Sequence, residues 1–139
     1  MKKRLLSIAC IIAILLTNTA TLSIAAIAFD EVYKVNENEK LISRIKPETT
    51  IETFKSNTSE QLTVYKDETK TEKVDTGLIG TGMVVVKDTT GEEYTVSVIG
   101  DLNGDGKATQ VELTNIIRHI VGLEGAELTG IKYESADIT

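Results

Sequence analysis

Asp101-Leu102-Asn103-Gly104-Asp105-Gly106-Lys107-Ala108-Thr109-Gln110-Val111-Glu112 is the stretch whose reading organises the rest of this chain. Oxygen-bearing side chains stand at its first, third and fifth positions, glycine at its sixth and glutamate at its twelfth, the pattern D-x-[DN]-x-[DN]-G-x5-E. A hard cation such as Ca²⁺ takes six to eight oxygen ligands, and this spacing supplies them. Asp101, Asn103 and Asp105 offer side-chain oxygens, and Lys107 offers its backbone carbonyl. Thr109 would ligate directly or through a water, and Glu112 would bind with both carboxylate oxygens. Gly106 falls where the loop must turn sharply and a Cβ would obstruct it. A metal-free surface turn also favours Asn, Asp and Gly. It does not, however, require an acid six residues beyond its last glycine.

The flanks set the fold class. Leu113, Ile116, Ile117, Ile120 and Val121 recur at the spacing of one helix face. Glu112 and Thr114 open this predicted helix, and Gly122 and Gly125 close it. Before the loop, Tyr94, Val96 and Val98 alternate with Glu93, Thr95 and Ser97, the signature of a half-buried strand. The unit is thus a calcium loop with an exiting helix but no entering one. The segment upstream reads as a small mixed or antiparallel β domain with one short helix, so the expected class is α+β. Leu41–Ile45 is a predicted strand with Leu41, Ser43 and Ile45 on one face. Thr49-Thr50-Ile51-Glu52 reads as a capping box opening a helix through Phe54 to about Ser56. Further strands are expected at Gln61–Lys66, Met83–Lys87 and Glu92–Ile99, with Glu31–Val35 as another candidate. Asp88-Thr89-Thr90-Gly91 supplies a hairpin turn, and Gly77, Gly80 and Gly82 mark an irregular segment.

Gly100 to Lys107 followed by Leu113-Thr114-Asn115-Ile116-Ile117-Arg118-His119-Ile120-Val121-Gly122 resembles the first repeat of a type I dockerin. That resemblance implies a Ca²⁺-binding loop–helix that docks onto a cohesin-type protein module, in a polysaccharide-degrading (cellulosome-like) or cell-surface assembly. It also implies that loop positions ten and eleven and the following helix help choose the partner, making Gln110, Val111, Asn115, Arg118 and His119 the candidate contacts. Leu128-Thr129-Gly130 and Tyr133 to Thr139 resemble the lead-in to a second repeat, with Asp137 at loop position one and Thr139 at position three. The family usually has Asn or Asp at position three, and about half of a dockerin is present. The expectation is a truncated product or fragment, whose apolar helix face must pack on the upstream module, self-associate or stay exposed. Thr76 to Met83 also resembles a small module that precedes dockerin-like repeats in secreted Gram-positive proteins.

Lys2, Lys3 and Arg4 precede an apolar run, Leu5 to Leu16, and small residues lead to Ala26-Ile27-Ala28. This is the form of a secretory signal peptide, cleaved between Ala28 and Phe29. The alternative is an uncleaved anchor, because Leu5 to Ala28 is long enough to cross a bilayer; Thr17, Asn18, Thr19, Thr21 and Ser23 interrupt it. Ser7 stands where a lipoprotein signal ending at Cys10 would place an aliphatic residue. The resulting division is signal 1–28, α+β module 29–99 and partial dockerin-like domain 100–139. No membrane association is expected after cleavage, and the localisation read here is secreted, extracellular or cell-surface.

After cleavage no cysteine remains, so metal is the natural staple for so small a domain. All 21 acids and 12 of the 15 bases remain, a charge of about −9 that disfavours nucleic acid and suits cations. The one histidine, His119, has no second catalytic group beside it and reads as a surface residue. The acids are scattered, and Gly77-Leu78-Ile79-Gly80 lacks the Gly-Lys-Ser/Thr of a phosphate loop. With no tryptophan and six Tyr and Phe in all, of which Phe29, Phe54 and Tyr94 are expected inside, a sugar-stacking platform is poorly supplied. Asn57-Thr58-Ser59 matches a glycosylation sequon. The chain is therefore not expected to be an enzyme. Two readings stay open: a cohesin-binding docking module, and a calcium-stabilised structural module or fragment that binds no partner. Calcium sensing is a third, disfavoured because sensors usually pair their loops.

Overall fold

The computed structural model describes residues 32–136. The predicted signal, Cys10, Phe29 and the start of the second loop at Asp137 and Thr139 lie outside them. Five strands form one mixed sheet: β1 (Lys34–Asn36), β2 (Leu41–Ile45), β3 (Leu62–Tyr65), β4 (Val84–Lys87) and β5 (Glu93–Val98). Their order across the sheet is β1-β2-β5-β4-β3. β2 and β5 run parallel and every other neighbouring pair is antiparallel. Among the described residues three helices accompany the sheet: α1 (Ile51–Ser56), α2 (Gln110–Ile120) and α3 (Ile131–Ser135). This small α+β arrangement agrees with the class read from the sequence. Among the described residues, no helix is long and apolar enough to cross a membrane.

β5 takes the centre because its alternating Tyr94, Val96 and Val98 are buried, in one cluster with Ile42 and Ile45 of β2, Val85 of β4 and Val64 of β3 beyond it. α1 covers this face with Ile51 and Phe54, and the Phe54 ring stacks on Tyr33 at 4.8 Å between centroids. Ser97, expected to face solvent, is buried as well. The reason is that α3 packs against β5, covering the face that a two-layer reading leaves open.

Four local expectations shift. β2 does not alternate: Leu41, Ile42 and Ile45 are buried, whereas Ser43 is half-buried. A bulge lies between Ile42 and Ile45, where Arg44 adopts φ 63°, so that Ile42 and Ile45 pair with Val96 and Val98. An extra residue in one strand resets which side chains share a face. The cap of α1 also moves by one residue. Thr50, not Thr49, accepts the Thr53 amide at 3.1 Å, while the Thr49 hydroxyl donates to the Lys46 carbonyl at 2.7 Å. β1 lies at Lys34–Asn36, so Val32 and Tyr33 of the expected Glu31–Val35 strand fall outside it (Glu31 lies outside the described residues), and α2 begins at Gln110, ahead of the expected Glu112.

Candidate metal centre

The chain leaves β5 through Ile99, whose amide donates to the Ile45 carbonyl at 2.9 Å, and enters the loop at Asp101. Asp101 is fully buried. Its Oδ1 accepts the amides of Gly104 (2.7 Å) and Asp105 (3.1 Å), and its Oδ2 accepts those of Gly106 (2.9 Å) and Thr81 (2.8 Å). The loop thus coils around one carboxylate. Gly106 at φ 79° makes this possible, since a Cβ there would lie 2.7 Å from the Ile79 carbonyl oxygen.

Glu112 closes the loop from the other end. As the third residue of α2 it reaches back to the Thr109 amide with Oε2 at 2.8 Å, half of a capping box. Its Oε1 accepts the amides of Leu102 at 2.8 Å and Asn103 at 3.3 Å, and the residue is only 3% exposed. The same glutamate therefore starts the helix and pins the beginning of the loop.

Asp101, Asp105 and Glu112 each bring a carboxylate oxygen within 4.8 Å of the others. None of the ion pairs among the described residues involves them. Two like charges at such a separation repel by about 3–4 kcal/mol at an effective dielectric of ~20. Backbone amides offset part of this: Asp101 accepts four, Glu112 three and Asp105 one. A cation among the three oxygens offsets it directly, so the group could hold a metal ion. Oxygen donors with no His or Cys among them suit a hard cation rather than zinc or copper.

The other expected ligands lie around this triad. Asn103 is exposed; its Oδ1 accepts the Asp105 amide at 2.9 Å and its Nδ2 donates to Asp105 Oδ2 at 3.3 Å. Asp105 Oδ1 accepts the Lys107 amide at 2.9 Å. Lys107 is exposed, and Thr109 serves as the N-cap residue of α2. Reading the sequence alone missed Thr81 and Glu48, which touch the loop from the β module: the Glu48 amide donates to the Gly106 carbonyl at 2.7 Å. Both use backbone donors, which no side-chain motif can announce.

Of the candidate partner contacts, Gln110, Val111, Asn115 and Arg118 are exposed. Val111, Asn115 and Arg118 line a groove of about 390 Å³ that also borders Glu112 and Leu128. His119 is engaged within the chain instead: its Nδ1 accepts the Leu128 amide at 3.1 Å, and its ring meets Tyr133 edge-on at 5.8 Å. Along α2 only Glu112 and Ile116 are buried, whereas Leu113, Ile117 and Ile120 are at least half exposed.

A cluster of displaced ionisations surrounds Tyr94. Hydrogen bonds to Lys40 hold the Glu37 and Glu92 carboxyls below the usual range, and the same bonds raise Lys40. Burial pushes the Tyr94 phenol up; its hydroxyl donates to Glu37, and Lys40 and Lys87 lie over its ring at 4.9 and 5.0 Å. This cluster joins the β1–β2 turn to β4 and β5. In the sequon, Asn57 Nδ2 donates to the Tyr33 hydroxyl at 3.0 Å.

No family model, curated protein or solved structure matches this chain.

Proposed function

We propose that this chain is a secreted calcium-binding docking module, similar to the first repeat of type I dockerins. It attaches its carrier to a cohesin-type module in a polysaccharide-degrading or cell-surface assembly. The observation that carries the calcium reading is the convergence of Asp101, Asp105 and Glu112 within 4.8 Å, with no ion pair to any of them among the described residues, in the D-x-[DN]-x-[DN]-G-x5-E register. The loop is EF-hand-like in this reading. Asp101, Asn103 and Asp105 supply side-chain oxygens, Lys107 its carbonyl, Thr109 a direct or water-mediated contact and Glu112 its carboxylate. Glu112 Oε2 and both Asp105 oxygens accept one donor each and keep a lone pair for an ion, whereas each Asp101 oxygen already accepts two amides and would share itself between them and the ion. The exposed Gln110, Val111, Asn115 and Arg118 support docking through the adjoining helix face. No step of this function is catalytic, and Ca²⁺ is structural.

The test is calorimetric titration of Ca²⁺ into the mature chain, Phe29 to Thr139, with Asp101→Ala in parallel and thermal unfolding of both. One site with a dissociation constant of about 10⁻⁵–10⁻³ M is expected. At free Ca²⁺ of ~100 times that constant the chain gains about 2.7 kcal/mol, a gain the substitution abolishes. An absence of binding heat and of thermal shift ends the calcium reading. The docking half is tested against a panel of cohesins in millimolar Ca²⁺; no complex tighter than ~100 μM would refute it.

The second reading, a calcium-stabilised structural module, draws support from the amides of Thr81 and Glu48 on the loop. It calls for calcium-dependent melting and no cohesin complex.

A further inference from the structure

Three residues of the β module, Gly80, Thr81 and Glu48, meet the loop through their backbones. Gly80 is buried, and a Cβ added there would lie 2.1 Å from the Gly104 carbonyl oxygen and 2.8 Å from its carbon. One residue on, the Thr81 amide donates to Asp101 Oδ2 at 2.8 Å, the same oxygen that accepts the Gly106 amide. From a separate turn, Glu48 holds φ 63° and sends its amide to the Gly106 carbonyl at 2.7 Å. A left-handed conformation at a residue other than glycine is uncommon and persists where surrounding structure over-determines it.

We infer that the β module is a working part of the metal site: Gly80, Thr81 and Glu48 are positioning residues that hold Asp101 and Gly106 in ligating shape, so calcium affinity depends on residues well outside the twelve-residue motif. This rests on the calcium reading above. An entering helix, the usual support for the start of such a loop, is replaced here by a glycine-flanked turn. The Thr81 amide fixes the rotation of the Asp101 carboxylate, as outer partners of metal ligands do. A loop held in shape before the ion arrives avoids the ordering cost of binding. Coupling between two sites is reciprocal, so calcium in turn holds the turn at Thr81 and the turn at Glu48.

The experiment compares Gly80→Ala with Gly91→Ala in the mature chain. Gly91 also has positive φ, 74°, but a Cβ there meets nothing within 4 Å, so its replacement strains the β module without touching the loop. Among variants that remain folded by circular dichroism, Gly80→Ala is expected to lose about 10–100-fold in Ca²⁺ affinity, and Gly91→Ala no more than about twofold. Hydrogen exchange on the unsubstituted chain supplies a readout that does not depend on any variant folding. Calcium is expected to slow exchange at the Thr81 and Glu48 amides more than at Lys87 and Asp88, whose bonds lie in the β3–β4–β5 region. Equal affinities for both glycine variants, or no calcium effect at Thr81 and Glu48 in a chain that binds the ion, would overturn the inference alone. Failure of the unsubstituted chain to bind Ca²⁺ would overturn the calcium reading and this inference with it.

Discussion

Helix α1 has six residues and buries both of its large apolar side chains, Ile51 and Phe54, completely. Helix α2 has eleven residues and a regular apolar stripe, yet of that stripe only Ile116 is buried. Six residues are too few for an isolated helix to persist in water, so α1 owes its existence to the core it covers. α2 starts from the opposite condition. Its first turn is held by the Glu112 carboxylate on the Thr109 amide, and its face contributes little apolar burial. Amphipathic spacing therefore reports which face of a helix is apolar and does not report what covers it. One part of the molecule is held by packing, the other by hydrogen bonds converging on two buried carboxylates.

The contrast breaks most easily at Phe54. Phe54→Ala is expected to cost about 3–5 kcal/mol in denaturant unfolding, by lost transfer energy plus the cavity left behind. A much smaller loss would mean that α1 does not anchor the β module. Next in size is the α1 cap: Thr50→Ala should cost about 1 kcal/mol, read from the shift in the same transition. Thr49→Ala distinguishes the observed cap from the one-residue-earlier alternative, because it leaves the Thr53 amide satisfied. The smallest effect is expected on α2, where Ile117→Ser should stay within about 0.5 kcal/mol of the unsubstituted chain, since the side chain is already half exposed. Binding of a hydrophobic dye should fall in that variant, and a large loss of stability would show that Ile117 is covered in solution.

Legibility followed the range of the physical cause. The carboxylates at positions 101, 105 and 112 were found from spacing alone, because the loop that gathers them is local in the chain. The strands of the β3–β4–β5 meander were found within a residue or so, because alternation and the turn at Asp88 to Gly91 are local as well. The bulge at Arg44 was not: Ser43 fits the alternating pattern, and only pairing with β5 puts Ile42 and Ile45 on one face. Nor was the burial of Ser97, which depends on α3 arriving from the far end of the chain. His119 read as a surface residue because its acceptor role requires the Leu128 amide, brought close by the turn after α2. Gly80 was visible as part of an irregular segment, but its partner Gly104 was not, since close approach of two backbones leaves no mark on side-chain pattern.

By itself, the sequence determined the α+β class, the spacing of the oxygen-bearing side chains at 101, 103, 105 and 112 and the apolar stripe of the helix after them. Each is a periodicity or an offset along a few turns of chain, where covalent geometry dictates what comes together. Only the tertiary structure decided that β2 runs parallel to β5, that the Thr81 and Glu48 amides brace the loop, and that the stripe on α2 lies open. Every residue but proline carries the same backbone donor, so which amide reaches Asp101 is settled by where the chain folds back and not by which side chain sits there.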